Sequence, residues 1–230
     1  MSLSIVIPAK NEEFNILKTI NSLRKNLANS INYEIIIIDD FSIDHTYKVV
    51  KKSNFKNVYI HKNLSKGLGG AIKFGIKKAK KKYVVFFMAD SSDSPKDLLK
   101  YYHFINSLKV DAIFGSRFIK GSVVVDYPRF KLLLNRLANN FIKLLGNYDC
   151  NDFTNAFKIY NRSKLNQIKI ESSNFSIFLE IPLKFLLKKF TYAVIPINWY
   201  NRTNGSSNFK MNELTYDYIK VLFKFFLCKK

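Results

Sequence analysis

The sequence predicts an α/β fold, a mainly parallel central sheet flanked by helices. Three observations carry that expectation. Short runs rich in Ile, Val, Phe and Tyr recur along the first half of the chain. Several are apolar at every position, as strands covered on both faces require. Segments of helical period separate them, which is the βαβα alternation of a layered domain with right-handed crossovers. The chain has 230 residues and is 47% hydrophobic, enough to bury the core of one such domain.

The elements follow in order. Leu3–Ile7 reads as the first strand, and Phe14, Leu17, Ile20, Leu23 and Leu27 then recur at helical spacing. Glu34–Ile38 and Val58–His61 read as strands two and three. Leu68, Ala71, Ile72, Gly75, Ile76 and Ala79 mark the next helix, and Tyr83–Met88 and Ala112–Gly115 two more strands. Beyond about residue 118 the pattern changes. A long helix is expected from Phe130 to Leu145, with Leu132, Leu133, Leu137, Phe141, Leu144 and Leu145 apolar and Gly146 as its stop. Phe153–Tyr160 alternates weakly as a strand, Phe175–Lys189 reads as a helix, and Tyr192–Ile197 as a strand. In the last stretch, read as a helix, Lys220 and Lys224 share one face while Ile219, Leu222, Phe223 and Phe226 form another. No repeat or linker interrupts the chain. Residues 1–210 therefore read as one domain, and 211–230 as an amphipathic helix suited to a membrane surface or to docking on the domain itself.

Lys and Arg number 38 against 17 Asp and Glu, a formal net charge of +21. Nucleic acid, phosphorylated ligands, an anionic membrane surface and plain compositional bias all fit such a total. Nucleic-acid binding finds no helix-turn-helix, aromatic ribonucleoprotein motif or clustered basic tail in support. Two cysteines, Cys150 and Cys228, exclude a disulfide framework or zinc cluster. His45, His61 and His103 are not spaced as metal ligands. The N-terminus lacks the basic region of a secretion signal, and no segment reaches the ~18 apolar residues of a membrane span. The expectation is a cytoplasmic protein, peripheral at the membrane.

The few acids cluster at strand ends. Ile35–Ile38 runs into Asp39-Asp40-Phe41-Ser42-Ile43-Asp44, and Val84–Ala89 runs into Asp90-Ser91-Ser92-Asp93. In a parallel sheet both lie on the edge where ligands bind. Carboxylates gathered there repel unless a cation or donor hydrogens hold them, and a divalent metal with a nucleotide diphosphate answers that need. Pro8-Ala9-Lys10-Asn11-Glu12-Glu13 adds a third polar wall. Asp44 also reads as a helix N-cap, and Asp93 as a turn residue before Pro95.

These segments resemble the signature segments of family 2 glycosyltransferases with the GT-A fold, a Rossmann-like arrangement. Further motifs are similar to the dolichyl-phosphate mannosyltransferase and polyprenyl-phosphate glycosyltransferase group: Lys66-Gly67-Leu68-Gly69-Gly70-Ala71, Gly115-Ser116-Arg117-Phe118, Asn135-Arg136-Leu137-Ala138-Asn139, Asn151–Lys158 and Arg202-Thr203-Asn204-Gly205-Ser206-Ser207. The resemblance covers about residues 3 to 210. It implies an inverting, metal-dependent enzyme that moves a sugar from a nucleotide diphosphate sugar, GDP-mannose before a UDP-sugar, to a polyprenyl phosphate. It implies that Pro8, Ala9, Asn11, Glu12, Asp39 and Asp40 line the nucleotide pocket, with Lys66, Gly69 and Ala89 beside the donor. Asp90 matches the last acid of the Asp-x-Asp motif and would bind Mg²⁺ or Mn²⁺, with Asp93 assisting. The first acid of that motif is Met88 here. Arg117 and Arg202 are the favoured cations for an acceptor phosphate. Arg129 and Lys131 compete for one family position, and Arg136 reads equally as a solvated helix residue. Asp152 is read as a positioning residue, because an anionic acceptor needs no base. The alternatives are the same fold acting on a saccharide hydroxyl in cell-surface polysaccharide synthesis, or an inactive nucleotide-sugar binder. A membrane-protein partner or a homo-oligomer is compatible with either.

Overall fold

The computed structural model describes residues 2–27, 30–146, 148–201 and 211–228, the side chains of 211–215 excepted. The N-terminal half alternates strand and helix: β1 (Ser2–Ala9), α1 (Ile16–Leu27), β2 (Asn32–Asp39), α2 (Thr46–Ser53), β3 (Val58–Lys62), α3 (Leu68–Lys78), β4 (Tyr83–Phe86), α4 (Pro95–Ser107) and β5 (Ala112–Ser116). The rest comprises β6 (Val124–Val125), α5 (Arg129–Gly146), β7 (Lys158–Asn161), α6 (Arg162–Leu165), α7 (Ile177–Leu187), β8 (Tyr192–Pro196), β9 (Trp199–Tyr200) and α8 (Met211–Cys228). Seven strands form one sheet in the order β3-β2-β1-β4-β7-β5-β8, and β6 pairs with β9. In the large sheet only β7 runs antiparallel to its neighbours.

Both faces of the sheet are covered. Ile5, Ile7, Ile35 and Ile37 pack with Ile16, Ile20 and Leu23 of α1 and Leu98 and Ile105 of α4. Val6, Ile36 and Ile38 point the other way, towards Ala71 and Ile72 of α3 and the apolar residues of α7. The two-residue period of a strand thus sends alternate side chains into two cores, and the wholly apolar strands follow from it.

Five features depart from the sequence reading. β4 stops at Phe86, because the Met88 N–H is taken by the Asp93 carboxylate at 2.9 Å. Of the strand expected over Phe153–Tyr160, only Lys158–Asn161 forms. The preceding turn satisfies its backbone with side chains instead, Phe153 N–H on Asn139 Oδ1 and Phe153 C=O on Lys158 Nζ. α4 was not anticipated, although Ser94 caps it by accepting from Asp97 N–H, ahead of Pro95 in the first turn. The apolar residues of α5 face outward: only Asn139 and Ile142 of that helix are buried. In α8, Leu222 and Phe226 pack inward while Ile219 and Phe223 are exposed, so the expected apolar face is split. Among the described residues no helix is long and apolar enough to cross a membrane.

Candidate active site

The parallel register aligns Ala9, Asp39 and Lys62 at the carboxyl ends of β1, β2 and β3. β4 lies beside β1, so its following turn opens on the same edge. The loops after β1 and β2 are laced together. Asn11 N–H donates to Ser42 Oγ (3.0 Å), Ile43 N–H to Asn11 Oδ1 (2.9 Å), Glu12 N–H to Thr46 Oγ1 (2.8 Å) and Glu13 N–H to Asp44 Oδ2 (3.1 Å). Asn11 and Phe41 reach this geometry with φ of 55° and 56°. Asn11 and Asp44 thus tie the two loops to each other. Asp44 also accepts from the N–H of Thr46, the first residue of α2, from two positions ahead of the helix, while His45 and not Asp44 occupies the N-cap position. Burial works against its charge, yet the bonds from Thr46 and Glu13 outweigh burial and hold its carboxyl below the usual range. Pro8 and Ala9 are buried in β1, and Ala9 C=O accepts the Asp40 N–H at 2.8 Å.

The two adjacent acids differ in role. Asp40 Oδ1 accepts from Asn63 Nδ2 and from Gly67 N–H, both at 2.8 Å, and so ties down the glycine loop. Asp39 is equally buried, but its Oδ1 has no hydrogen-bond partner. Burial raises its pKa against the opposing bonds from Ser42. A buried carboxylate oxygen left without a donor is costly, and a ligand N–H or hydroxyl would relieve it.

The glycine loop serves close packing. A Cβ at Gly69 would lie 2.4 Å from Ser172 O, and one at Gly70 2.0 Å from Ser65 O. Gly69 N–H donates to Ser173 O at 2.9 Å. Two amides of the loop, those of Gly67 and Gly69, are thereby engaged within the protein, and Lys66 is exposed. Sequence reasoning missed Glu180, a buried acid in a helix whose only other charged residue is Lys184. It accepts from Glu171 and Ser172 N–H and so holds the loop that closes on the glycines. A cavity of about 560 Å³ between this loop, α7 and α8 includes Ser173, Lys184 and Phe225 in its wall. None of the predicted site residues lines it, and its acids are largely paired with lysines, Glu171 with Lys224 and Glu180 with Lys184.

At the end of β4, Asp90 is half-buried and accepts from Ser92 N–H at 3.1 Å, with Ser91 at φ 61°. Ala89 C=O accepts from Thr19 Oγ1. Asp93 is buried beneath this turn. Desolvation, reinforced by Asp90, pushes its carboxyl up to about 7 despite the bond from Met88 N–H. Among the described residues no three His, Cys, Asp or Glu side chains gather as a metal cage. One half-buried carboxylate backed by a second still fits a hard divalent ion, which takes its remaining ligands from diphosphate oxygens and water.

The second wall is built from the C-terminal half. Asp152 is fully buried and accepts from Arg117 three times: Nε at 2.8 Å, Nη2 at 2.8 Å and the backbone N–H at 3.0 Å. Burial penalises the Arg117 charge, but the adjacent Asp152 carboxylate more than restores it and raises its pKa. The guanidinium also lies against the rings of Phe118 (5.3 Å) and Tyr127 (5.4 Å). Arg136 donates to Asn151 C=O (3.0 Å) and sits over Phe118 (4.4 Å), so it braces this wall. Asn135 and Asn139 both donate to Thr154 Oγ1. Lys158, fully buried, donates to the carbonyls of Phe153 and Asn155, and burial lowers its pKa to about 8. Arg129 is exposed and Lys131 half-buried in the first turn of α5. Arg202 lies outside the described residues.

A sheet edge with acids on three strand ends and a cationic second wall defines a nucleotide-sugar-type GT-A domain, the fold the sequence led us to expect. The Glycosyl transferase family 2 model matches residues 4–169, and the chain belongs to that family. It is 26% identical to a dolichol-phosphate mannosyltransferase of Pyrococcus furiosus, over 97% of this chain and 63% of that protein. It is 32% identical to a UDP-N-acetylglucosamine–dolichyl-phosphate N-acetylglucosaminyltransferase of Methanococcus voltae, over 70% of each. The chain thus spans less than two thirds of the Pyrococcus relative. Among solved structures, glucosyl-3-phosphoglycerate synthase of Mycobacterium tuberculosis with Mn²⁺, UDP-glucose and phosphoglyceric acid matches with a TM-score of 0.75. That match has 16% identity and covers 99% of this chain and 79% of that one.

Proposed function

We propose that the chain transfers a sugar, with inversion, from a nucleotide diphosphate sugar to a polyprenyl phosphate at a membrane surface. The observation that carries this reading is the state of Asp152. A hydroxyl acceptor needs a base. Asp152, the acid of the second wall, is sealed from solvent and held by three bonds from Arg117, an arrangement that suits a clamp and not a proton acceptor. A phosphate monoester needs no base, because its second pKa is ~6. One of its oxygens attacks the sugar C1 as the bond from C1 to the diphosphate breaks.

Each remaining residue then has a task. Asp39 Oδ1 receives an N–H or hydroxyl of the nucleoside. Asp40 keeps the glycine loop closed beside the donor. Asp90, with Asp93 behind it, would hold Mg²⁺ or Mn²⁺, which when bound neutralises charge on the departing diphosphate. Arg117, fixed by Asp152 through Nε and Nη2, offers its Nη1 side to the acceptor phosphate, and Arg202 and the cations of the first turn of α5 complete the anion site. The exposed residues Ile219 and Phe223 of α8, beside Lys220 and Lys224, are suited to the membrane surface. The resemblance favours GDP-mannose. The Methanococcus relative is named for UDP-N-acetylglucosamine, so the test carries both donors.

The test incubates the full chain and Mg²⁺ or Mn²⁺ with each donor and a short prenyl phosphate, mannose or a disaccharide. Product on the prenyl phosphate alone is expected. Product on a sugar hydroxyl alone contradicts the acceptor assignment, and donor binding without any product supports the inactive binder.

A further inference from the structure

The glycine loop after β3 is gripped from two sides. On one, Asp40 Oδ1 accepts the Gly67 N–H at 2.8 Å. On the other lies the backbone of Ser172 and Ser173, ahead of α7. Ser173 C=O accepts the Gly69 N–H at 2.9 Å, one of the first-turn donors of α3 that have no partner within the helix. The two backbones touch. A Cβ at Gly69 would lie 2.4 Å from Ser172 O and 2.6 Å from Ser173 Cα, and one at Gly67 2.9 Å from Ser173 O. Residues 171–173 are themselves held by one buried side chain. Glu180 Oε1 accepts from Glu171 N–H at 2.9 Å and Oε2 from Ser172 N–H at 2.8 Å, while Lys184 Nζ stands 2.6 Å from Oε1. Burial opposes the Glu180 charge, yet the bonds from Lys184, Glu171 and Ser172 outweigh it and hold the carboxyl below its usual range. The outer end of the segment is tied to α8, Glu171 to Lys224 at 2.9 Å and Asn174 to Asp217. The cavity of about 560 Å³ lies between the segment, α7 and α8, so polar bonds and not close packing fix the segment on this side.

We propose that Glu180 is a positioning residue for the donor: through the backbone of Ser172 and Ser173 it holds the loop of residues 67–69 in the shape that receives the nucleotide diphosphate sugar. The inference rests on the reading that this loop borders the donor, and deepens it by extending the donor wall to α7. Glu180 is 3% exposed and acts only through the segment it holds. Its carboxylate suits that task. Two oxygens take two successive backbone N–H groups, a charge-assisted pair that fixes both the place and the tilt of the segment. Glutamine has the same shape, but its amide offers one acceptor oxygen and sets an NH₂ group against the other N–H. The Ser173 carbonyl is then free to swing away from Gly69, while Asp40 still holds Gly67. Opening of that kind lowers the fraction of chains ready for the donor and raises its apparent dissociation constant by the same factor. The chemistry of a bound donor is untouched, because Arg117 and Asp152 belong to the second wall.

The test is steady-state kinetics of the full chain and of Glu180→Gln, with donor and a short prenyl phosphate varied in turn, beside amide hydrogen exchange over residues 64–72. The expected result is a donor KM raised about 10- to 100-fold, the worth of one charge-assisted bond. The kcat and the KM for prenyl phosphate stay within about twofold of the parent. Exchange at residues 67–70 rises while β1 and β2 stay protected. Lys224→Met, at the exposed end of the segment, shifts the donor KM by less than about fivefold. Gly69→Ala presses on the same contact from the loop side with Glu180 intact, so it gives the same split even where Glu180→Gln weakens the whole fold. In the double variant the two effects do not add. Equal donor KM in Glu180→Gln and parent overturns the inference. A loss that falls alike on kcat and both KM values, the mark of a merely structural role, overturns it too, as does exchange that stays slow in the variant. The same donor split with product only on a sugar hydroxyl leaves the inference standing and contradicts the acceptor assignment.

Discussion

Replacing Asp152 separates a clamp from a base. Its carboxylate takes three bonds from Arg117, at 2.8, 2.8 and 3.0 Å, and is fully buried. Asp152→Ala leaves a guanidinium, itself 8% exposed, without its counter-charge. Breaking one half of a buried pair costs ~3–5 kcal/mol. In a domain of this size each kcal/mol moves the melting temperature by ~2–4 °C, so a fall of ~6–20 °C is expected. Asp152→Asn keeps the volume and one acceptor and costs about half as much. The double variant Arg117→Met/Asp152→Leu removes both charges and regains most of the loss in stability, but not the activity. Thermal and urea melts read the stability, and kcat/KM for transfer to a short prenyl phosphate reads the function. If Asp152→Asn melts with the parent while kcat falls by a hundredfold or more, the side chain takes part in proton transfer and the clamp argument is wrong.

Other outcomes follow from the same geometry. Gly70→Ala sets a Cβ 2.0 Å from Ser65 O; the loop must shift, at a cost of ~1–3 kcal/mol, and donor affinity measured by calorimetry falls with it. Asp93 has its pKa raised to about 7 from 3.8. The folded state therefore binds its proton more tightly than the unfolded state. That contribution is full below about pH 4, is lost as pH rises towards 7, and amounts to about 4 kcal/mol for this group alone. Asp93→Asn flattens that part of the stability profile when urea midpoints are compared in EDTA; an unchanged slope contradicts the assignment. Asp90→Asn abolishes the metal dependence of transfer, and retained Mg²⁺ or Mn²⁺ activation would move the ion elsewhere.

Much of the fold was legible because strands covered on both faces leave an unbroken apolar signature, as in Ile35–Ile38. The acids at the ends of β2 and β4 were legible for a related reason: polar groups after such a run must leave the core. What each acid does was not legible. Asp39 and Asp40 are neighbours of identical chemistry, and only the positions of Asn63 and Gly67 make one a loop tie and leave the other with an unpartnered oxygen. Periodicity located α5 but not its orientation, since an apolar stripe has the same spacing whether it faces core or lipid. Neither the insertion of antiparallel β7 between β4 and β5 nor the pairing of Arg117 with Asp152 is a local property of the chain. Lys158 reads as an ordinary strand lysine; its burial depends on the carbonyls that the preceding turn presents.

In the proposed reaction this wall positions an anion and supplies no base. The pH dependence of kcat/KM for a short prenyl phosphate, measured beside the matching prenol, tests it most directly. The expected rate rises through the second ionisation of the phosphate near ~6, levels above it, and is negligible with the prenol at every pH. Comparable transfer to the prenol, rising with an enzyme group and lost in Asp152→Asn, would contradict it.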